Sequence, residues 1–233
     1  MTRGRQSAYG AARRDEGLRR YVRLVVWDLF ERCAEVAAAL VASEAVAAAW
    51  AAPSSLPGYT VAGLAGHLAR AVFTVEDYLE VPAPPPDREL TDAAGYFVVV
   101  LGSHDPRDSE LHRTIRGRAD TGAVGPDALA HAIRDATRRL RERRSTINRQ
   151  APVGVLDGVA LPLVEYLKTR LVELVVHIDD LAVSVDQLPA LPADAYRLVA
   201  CVLSQVAALR EGGLDVVRSL ARRERHPDAV RAL

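Results

Sequence analysis

Cysteine, lysine, asparagine and the aromatic residues are all scarce in this chain. Its two cysteines, Cys33 and Cys201, stand far apart in 233 residues, with no CxxC pair and no framework of spaced thiols. That pattern argues against a disulfide-stapled fold and fits a chain kept in the reducing cytoplasm. Both cysteines sit in apolar helical patterns, so both are expected to be inert core thiols rather than disulfide partners or nucleophiles. Aromatic residues make up only 5%, and alanine, valine and leucine fill the apolar positions. Alanine favours helices and is poor in strands, so this core points to helix-on-helix packing rather than a sheet sandwich. Lys168 is the only lysine and Asn148 the only asparagine, a bias that reads as GC-rich coding and carries no mechanism.

An excess of charge of one sign is lacking as well. Thirty basic residues face thirty acidic ones, a balance that does not suggest a dedicated nucleic-acid or polyanion binder. The basic run RRLRERRSTINR, residues 138–149, lies on a helix with an acid among its arginines and reads as a solvated face. No strongly apolar run reaches the ~18 residues that a membrane span needs. The basic start MTRGRQSAYGAARRDEG has no apolar stretch of the kind a secretory signal carries, so residues 1–17 are expected to form a disordered lead-in. Hydrophobic residues at 49% supply a substantial core and argue against general disorder.

Periodicity divides the rest. Val22, Val25, Val26, Leu29, Phe30, Cys33, Val36 and Leu40 recur at helical steps and predict a first long helix from about Leu18 to about Ala48. AAPSSLPGY punctuates it, and Thr60 is the expected N-cap of a second helix to Glu80. VPAPPPD breaks the chain, and a short helix is expected over residues 92–101. The polar stretch that follows, to about residue 125, has no clear assignment. Pro126 opens a third long, amphipathic helix to about Ile147. In PVGVLDGVAL, Asp157-Gly158 between two valine-rich runs predicts a hairpin turn. Pro162 begins a fourth long helix to about Val185, and Gly212-Gly213 splits a last helical section, residues 193–223. The expected architecture is all-α: a four-helix bundle over residues 18–187, a small β-hairpin before its last helix, and a helical C-terminal extension over residues 188–233.

The residues able to carry chemistry concentrate in RLVELVVHIDDLA, residues 170–182. Glu173 and His177 are four residues apart, so on a helix they point only about 40° apart and can serve one ion. A carboxylate with an imidazole suits zinc and other first-row divalent metals. Alone, such a pair also arises on a surface or as a satisfied core pair. The apolar neighbours Leu171, Leu174, Val175, Ile178 and Leu181 turn this one inward, where an unpaired carboxylate would be costly. In GYTVAGLAGHLARAV, residues 58–72, His67 sits beside Leu64, Leu68 and Val72, on or beside an apolar helix face, where a lone histidine is more often a core residue bonded to a carbonyl. Asp180, one turn past His177, either orients that imidazole or is a solvated helix-end acid. Arg170, one turn before Glu173, either clamps a substrate carboxylate or pairs with a protein acid. His104, His112, His131 and His226 lie in polar surroundings and read as solvated.

The segments Pro57–Leu68 and Arg170–Leu181 match the patterns P-G-[WY]-T-V-x-x-L-x-x-H-L and R-x-x-E-x-x-x-H-x-x-D-L. In this the chain resembles the DinB-like superfamily, and most of all the metal-binding N-terminal domain of mycothiol-dependent maleylpyruvate isomerases. The resemblance implies a divalent metal, zinc or alternatively Ni2+, Fe2+ or Mn2+, held by His67, Glu173 and His177, with mycothiol as the thiol cofactor. It further implies a cytoplasmic enzyme acting on an electrophilic small molecule, as an isomerase or a thiol S-transferase, without a protein cysteine. About fifty residues follow the second motif, too few for the further α/β domain that full isomerases of this kind carry. A non-catalytic metal-binding or interaction protein and a metal-dependent hydrolase stand as alternatives. A homodimer is compatible with the sequence.

Overall fold

The computed structural model describes residues 25–102, 125–156, 159–222, 224–225 and 227–232. Residues 25–41 form helix α1, which buries Val26, Trp27, Leu29, Phe30, Cys33 and Val41 along one stripe. The single long helix expected to Ala48 does not continue that far. The chain turns at Ala42 and Ser43, and Ser43 accepts a hydrogen bond from the Val46 amide to cap a new short helix, α2 (Glu44–Ala48). A serine oxygen competing for free amides is what breaks the run. The start of the predicted helix, the basic lead-in and most of the polar stretch after residue 102 lie outside the described residues.

Helix α3 (Val61–Glu80) begins at Thr60, whose hydroxyl accepts from the Gly63 amide at 3.0 Å. The loop before it depends on Gly58, whose φ of 86° is the left-handed region that side chains disfavour. Helix α4 (Ala93–Leu101) is capped by Asp92. Helix α5 (Pro126–Arg143) starts with its proline in the first turn, where the missing N–H costs nothing, and ends short of the predicted Ile147. Strands β1 (Pro152–Leu156) and β2 (Val159–Pro162) pair antiparallel, with an irregularity between Gly154 and Leu156. The predicted turn residues Asp157 and Gly158 lie outside the described residues. Helix α6 (Leu163–Ser184) follows directly from Pro162. The extension forms α7 (Ala193–Glu211) and α8 (Gly213–Ala221), broken at Gly212, where φ is 99°.

The molecule is thus mostly helical with one small hairpin, an all-α bundle. Helix α3 packs on both α5 and α6, while α4 touches both α6 and α7, which also pack on each other. Leucine, valine and alanine from α1, α3, α5 and α6 share one core with residues of α4 and α7. One link fixes α4 against α6, and a second ties the residues before it to the hairpin. The Glu165 carboxylate accepts from the Ala93 amide at the start of α4 (3.2 Å) and from Lys168 Nζ (2.6 Å). The preceding Thr91 amide donates to Ala160 of β2.

The arginines at the end of α5 are paired with acids. Arg139 makes a two-pronged contact with Glu76 of α3, and Arg143 reaches Glu80. Arg141 holds Glu31 and Glu35 of α1, and Arg144 holds Asp28. A run that looks basic in sequence therefore serves to join three helices.

Candidate metal centre

The contact between α3 and α6 brings His67 to Glu173 and His177, more than a hundred residues further along the chain. Leu64, Leu68 and Ala71 of α3 and Leu171, Leu174 and Ile178 of α6 are buried, so the flanking His67, Glu173 and His177 lie at the margin of the core. His67 Nε2 is 3.1 Å from His177 Nε2 and 3.7 Å from Glu173 Oε2, and His177 Nε2 is 3.2 Å from that same oxygen. A tetrahedral zinc with ligands at about 2.0–2.1 Å separates its ligand atoms by about 3.3–3.4 Å. The triangle of donors has the size of one face of such a site, and two nitrogens and one oxygen are ligands that zinc accepts. Their side chains are 14–25% exposed, so the group is reachable from outside.

Two neutral imidazoles would not turn their Nε2 atoms towards each other and a carboxylate without a shared proton or cation. The electrostatics divide the two rings. Burial and the neighbouring His177 push His67 down to about 4, so it is neutral at pH 7. Burial also works against charge on His177, but hydrogen bonds to Asp180 and Glu173 outweigh it and raise it to about 9. Burial alone would raise Glu173; the bond to His177 and the nearby Arg170 reverse this and lower it to about 2.

Of the two readings open for Asp180, the structure contains the contact with His177. Its Oδ2 accepts from His177 Nδ1 at 3.0 Å, which leaves Nε2 directed at the triangle. The backbone carbonyl of Asp180 accepts from the hydroxyls of Ser55 and Ser184, both at 2.6 Å. These bonds tie the loop before α3 to the end of α6, and Tyr59 of that loop lies 5.7 Å from the His67 ring. His67 Nδ1 is buried with no hydrogen-bond partner, so the two rings are unequally supported.

Arg170 makes no ion pair with Glu173 or with any other acid among the described residues. It is 9% exposed, its Nε donates to Thr169 Oγ1 at 3.1 Å, and its Nη2 reaches the Tyr96 hydroxyl at 3.4 Å. Its guanidinium carbon lies 4.9 Å from the Tyr166 ring centre and 5.9 Å from that of Tyr96. The sequence reading missed both tyrosines. Tyr96 stands on α4, whose pattern says nothing of what it meets, and Tyr166 reads as one more core position.

The remaining expectations divide. Cys33 is buried, and burial raises its thiol to about 12. Cys201 is exposed, contrary to expectation. The buried line of α7 runs through Ala195, Val199, Val202 and Val206, and Cys201 falls outside it because only one face of that helix is covered. His131 is exposed and bonded to the Asp127 carbonyl, whereas His104, His112 and His226 lie outside the described residues.

No helix among the described residues is long and apolar enough to cross a membrane. No curated protein and no solved structure matches the chain. The family model described as the mycothiol maleylpyruvate isomerase N-terminal domain matches residues 30–182, about two thirds of the chain, and that stretch includes His67, Arg170, Glu173, His177 and Asp180. With a helical bundle that fits the wider DinB-like group, the chain belongs to the mycothiol maleylpyruvate isomerase N-terminal domain family.

Proposed function

We propose that this protein is a metal-dependent enzyme that uses mycothiol against an electrophilic small molecule, as an isomerase or a thiol S-transferase. The observation that carries the reading is the triangle of His67 Nε2, His177 Nε2 and Glu173 Oε2, with sides of 3.1–3.7 Å, in a chain of a mycothiol-associated family. These three residues would hold the ion, zinc by its donor set, with Ni2+, Fe2+ or Mn2+ as alternatives. Three protein ligands are the number typical of catalytic sites, which keep a position free. A bound divalent ion supplies Lewis acidity, lowering the pKa of a thiol or water and polarising a carbonyl.

The protein's own groups supply the rest. Asp180 fixes the ring orientation of His177 through Nδ1. Glu173 and Asp180 provide negative charge, and Arg170 supplies a buried positive charge one turn away. The cofactor thiolate adds to the electron-poor carbon of the substrate's double bond, turning it into a single bond about which the adduct rotates. Expulsion of the same thiolate completes an isomerisation; protonation of the adjoining carbanion, or loss of another leaving group, completes a transfer. No protein thiol is needed, in keeping with the inert Cys33. The partners are then a low-molecular-weight thiol and a small molecule, in the cytoplasm, with no role for nucleic acid.

The test is consumption of mycothiol by a panel of electrophiles with metal-loaded and metal-stripped protein, beside elemental analysis of wild type and of His67→Ala, Glu173→Ala and His177→Ala. The expected outcome is metal in the wild type only and thiol consumption that depends on it. Equal metal content in all four preparations would sink the reading. Turnover by water with no thiol would replace it with a hydrolase.

A further inference from the structure

Helices α3 and α6 run side by side in opposite directions: His67 meets Glu173 and His177, while Thr74, about two turns on, meets Tyr166, about two turns back. The leucines buried along this contact attract without direction, so polar links at its ends set the register. At one end the Tyr166 hydroxyl donates to Thr74 Oγ1 at 2.9 Å. At the other, the loop before α3 meets the last turn of α6. The Ser55 hydroxyl donates to the Asp180 carbonyl at 2.6 Å, and the Ser55 amide donates to Ser184 Oγ at 2.9 Å. The Ser184 hydroxyl donates to the same carbonyl, also at 2.6 Å. The loop that carries this clasp is cross-tied. Pro53 and Thr60 pair across it, the Ser54 amide donates to the Tyr59 carbonyl at 3.0 Å, and Ser54 Oγ accepts from the Leu56 amide. Tyr59 closes the loop, with its ring 5.7 Å from that of His67. The two histidines are thus held differently. Asp180 holds the His177 ring through Nδ1, whereas the buried Nδ1 of His67 has no hydrogen-bond partner and its placement falls to the helix and the loop.

We propose that Ser55 and Ser184 are positioning residues for the metal centre: their clasp on the Asp180 carbonyl sets the distance from His67 to the Glu173–His177 pair. An ion is held well only where its ligands meet it within about 0.2 Å of the preferred distances, so a small slide of α3 along α6 costs affinity. The carbonyl that receives both hydroxyls belongs to the residue whose carboxylate orients His177. Asp180 is thereby tied to His177 through its side chain and, through the clasp and the loop, to the helix of His67. Ser55 is exposed, so the clasp contributes geometry more than stability. The inference rests on the reading of the triangle as a metal site and deepens it by assigning groups that do not touch the ion.

Zinc affinity by chelator competition, and the visible spectrum of the cobalt-loaded protein, test the clasp on the full chain with Ser55→Ala, Ser184→Ala, the double variant and Ser55→Thr. Each alanine variant is expected to bind zinc about three- to tenfold more weakly, the size of one lost hydrogen bond. The double variant is expected to lose little more than either single one, because the two hydroxyls act on one carbonyl. Ser55→Thr keeps the hydroxyl and is expected to bind as wild type does. At cobalt saturation the ligand-field bands of the alanine variants are expected to change in intensity, reporting a displaced ligand. Their metal-free melting midpoints are expected to stay within about 2 °C of wild type. The proposal is overturned if the alanine variants bind zinc as tightly as wild type, or if Ser55→Thr is as weak as Ser55→Ala. Unchanged cobalt bands with a lowered metal-free midpoint would also overturn it, since that is a structural role alone. A wild type that takes up neither zinc nor cobalt overturns the metal reading and the clasp's role with it, whereas a failure confined to the variants is a failure of the clasp alone.

Discussion

His67 and His177 differ in what lies behind each ring. Asp180 supports His177 through Nδ1, while the corresponding nitrogen of His67 is buried without a partner. A histidine must be neutral to bind a metal, and His177, raised to about 9, holds a proton at pH 7. Metal entry is therefore expected to expel about one proton, with apparent affinity rising as pH increases towards 9 and falling below it. Calorimetry in buffers of different ionisation enthalpy reads this directly. Asp180→Asn keeps the size of the side chain but removes its charge, and metal affinity is expected to fall about 10–100-fold, measured by competition with a chromogenic chelator. The cysteines also divide at this scale. A thiol reagent at pH 8 is expected to modify one cysteine of the native protein and two after denaturation, because Cys201 is exposed and Cys33 is buried with its pKa near 12. Cys201→Ser should abolish the native reaction.

At the scale of elements, polar links set how the helices meet. Glu31 of α1 is 8% exposed, accepts from the Trp27 indole at 2.6 Å and from Arg141 of α5 at 2.9 Å. Glu31→Ala would leave the buried Trp27 N–H unpaired and lose the tie to α5, at a cost of about 1–3 kcal/mol. For a chain of this length that lowers the melting midpoint by about 2–12 °C. Arg139→Ala breaks an exposed pair and is expected to leave the midpoint nearly unchanged; differential scanning calorimetry of the two variants tests the contrast. The sequence revealed much at this scale. Thr60, Pro126 and Pro162 each mark a helix start, because a cap or a fixed φ acts within a few residues. The break at Ser43 escaped the periodic reading because alanines and valines run on through it.

For the whole molecule, the candidate metal site links α3 to α6 through His67 and His177, 110 residues apart. An ion bound to the folded chain alone stabilises it, by about 2.7 kcal/mol at a hundredfold excess over its dissociation constant. Zinc is then expected to raise the melting midpoint by about 5–10 °C and EDTA to reverse the gain, with neither change in Glu173→Gln. A midpoint insensitive to zinc would count against the centre.

By itself the sequence determined the helical class and the starts of the second, third and fourth long helices, and it named His67, Glu173 and His177 as candidate donors. Those features depend on local spacing: the 3.6-residue period, the capping residues, and the four-residue step from Glu173 to His177. The tertiary structure alone decided that His67, Glu173 and His177 converge to 3.1–3.7 Å, that Cys201 faces outward, and that the Arg170 guanidinium lies against two tyrosine rings. Periodicity identifies the inward face of a helix, and which side chains it meets there is set by the packing of α3 and α4 against α6.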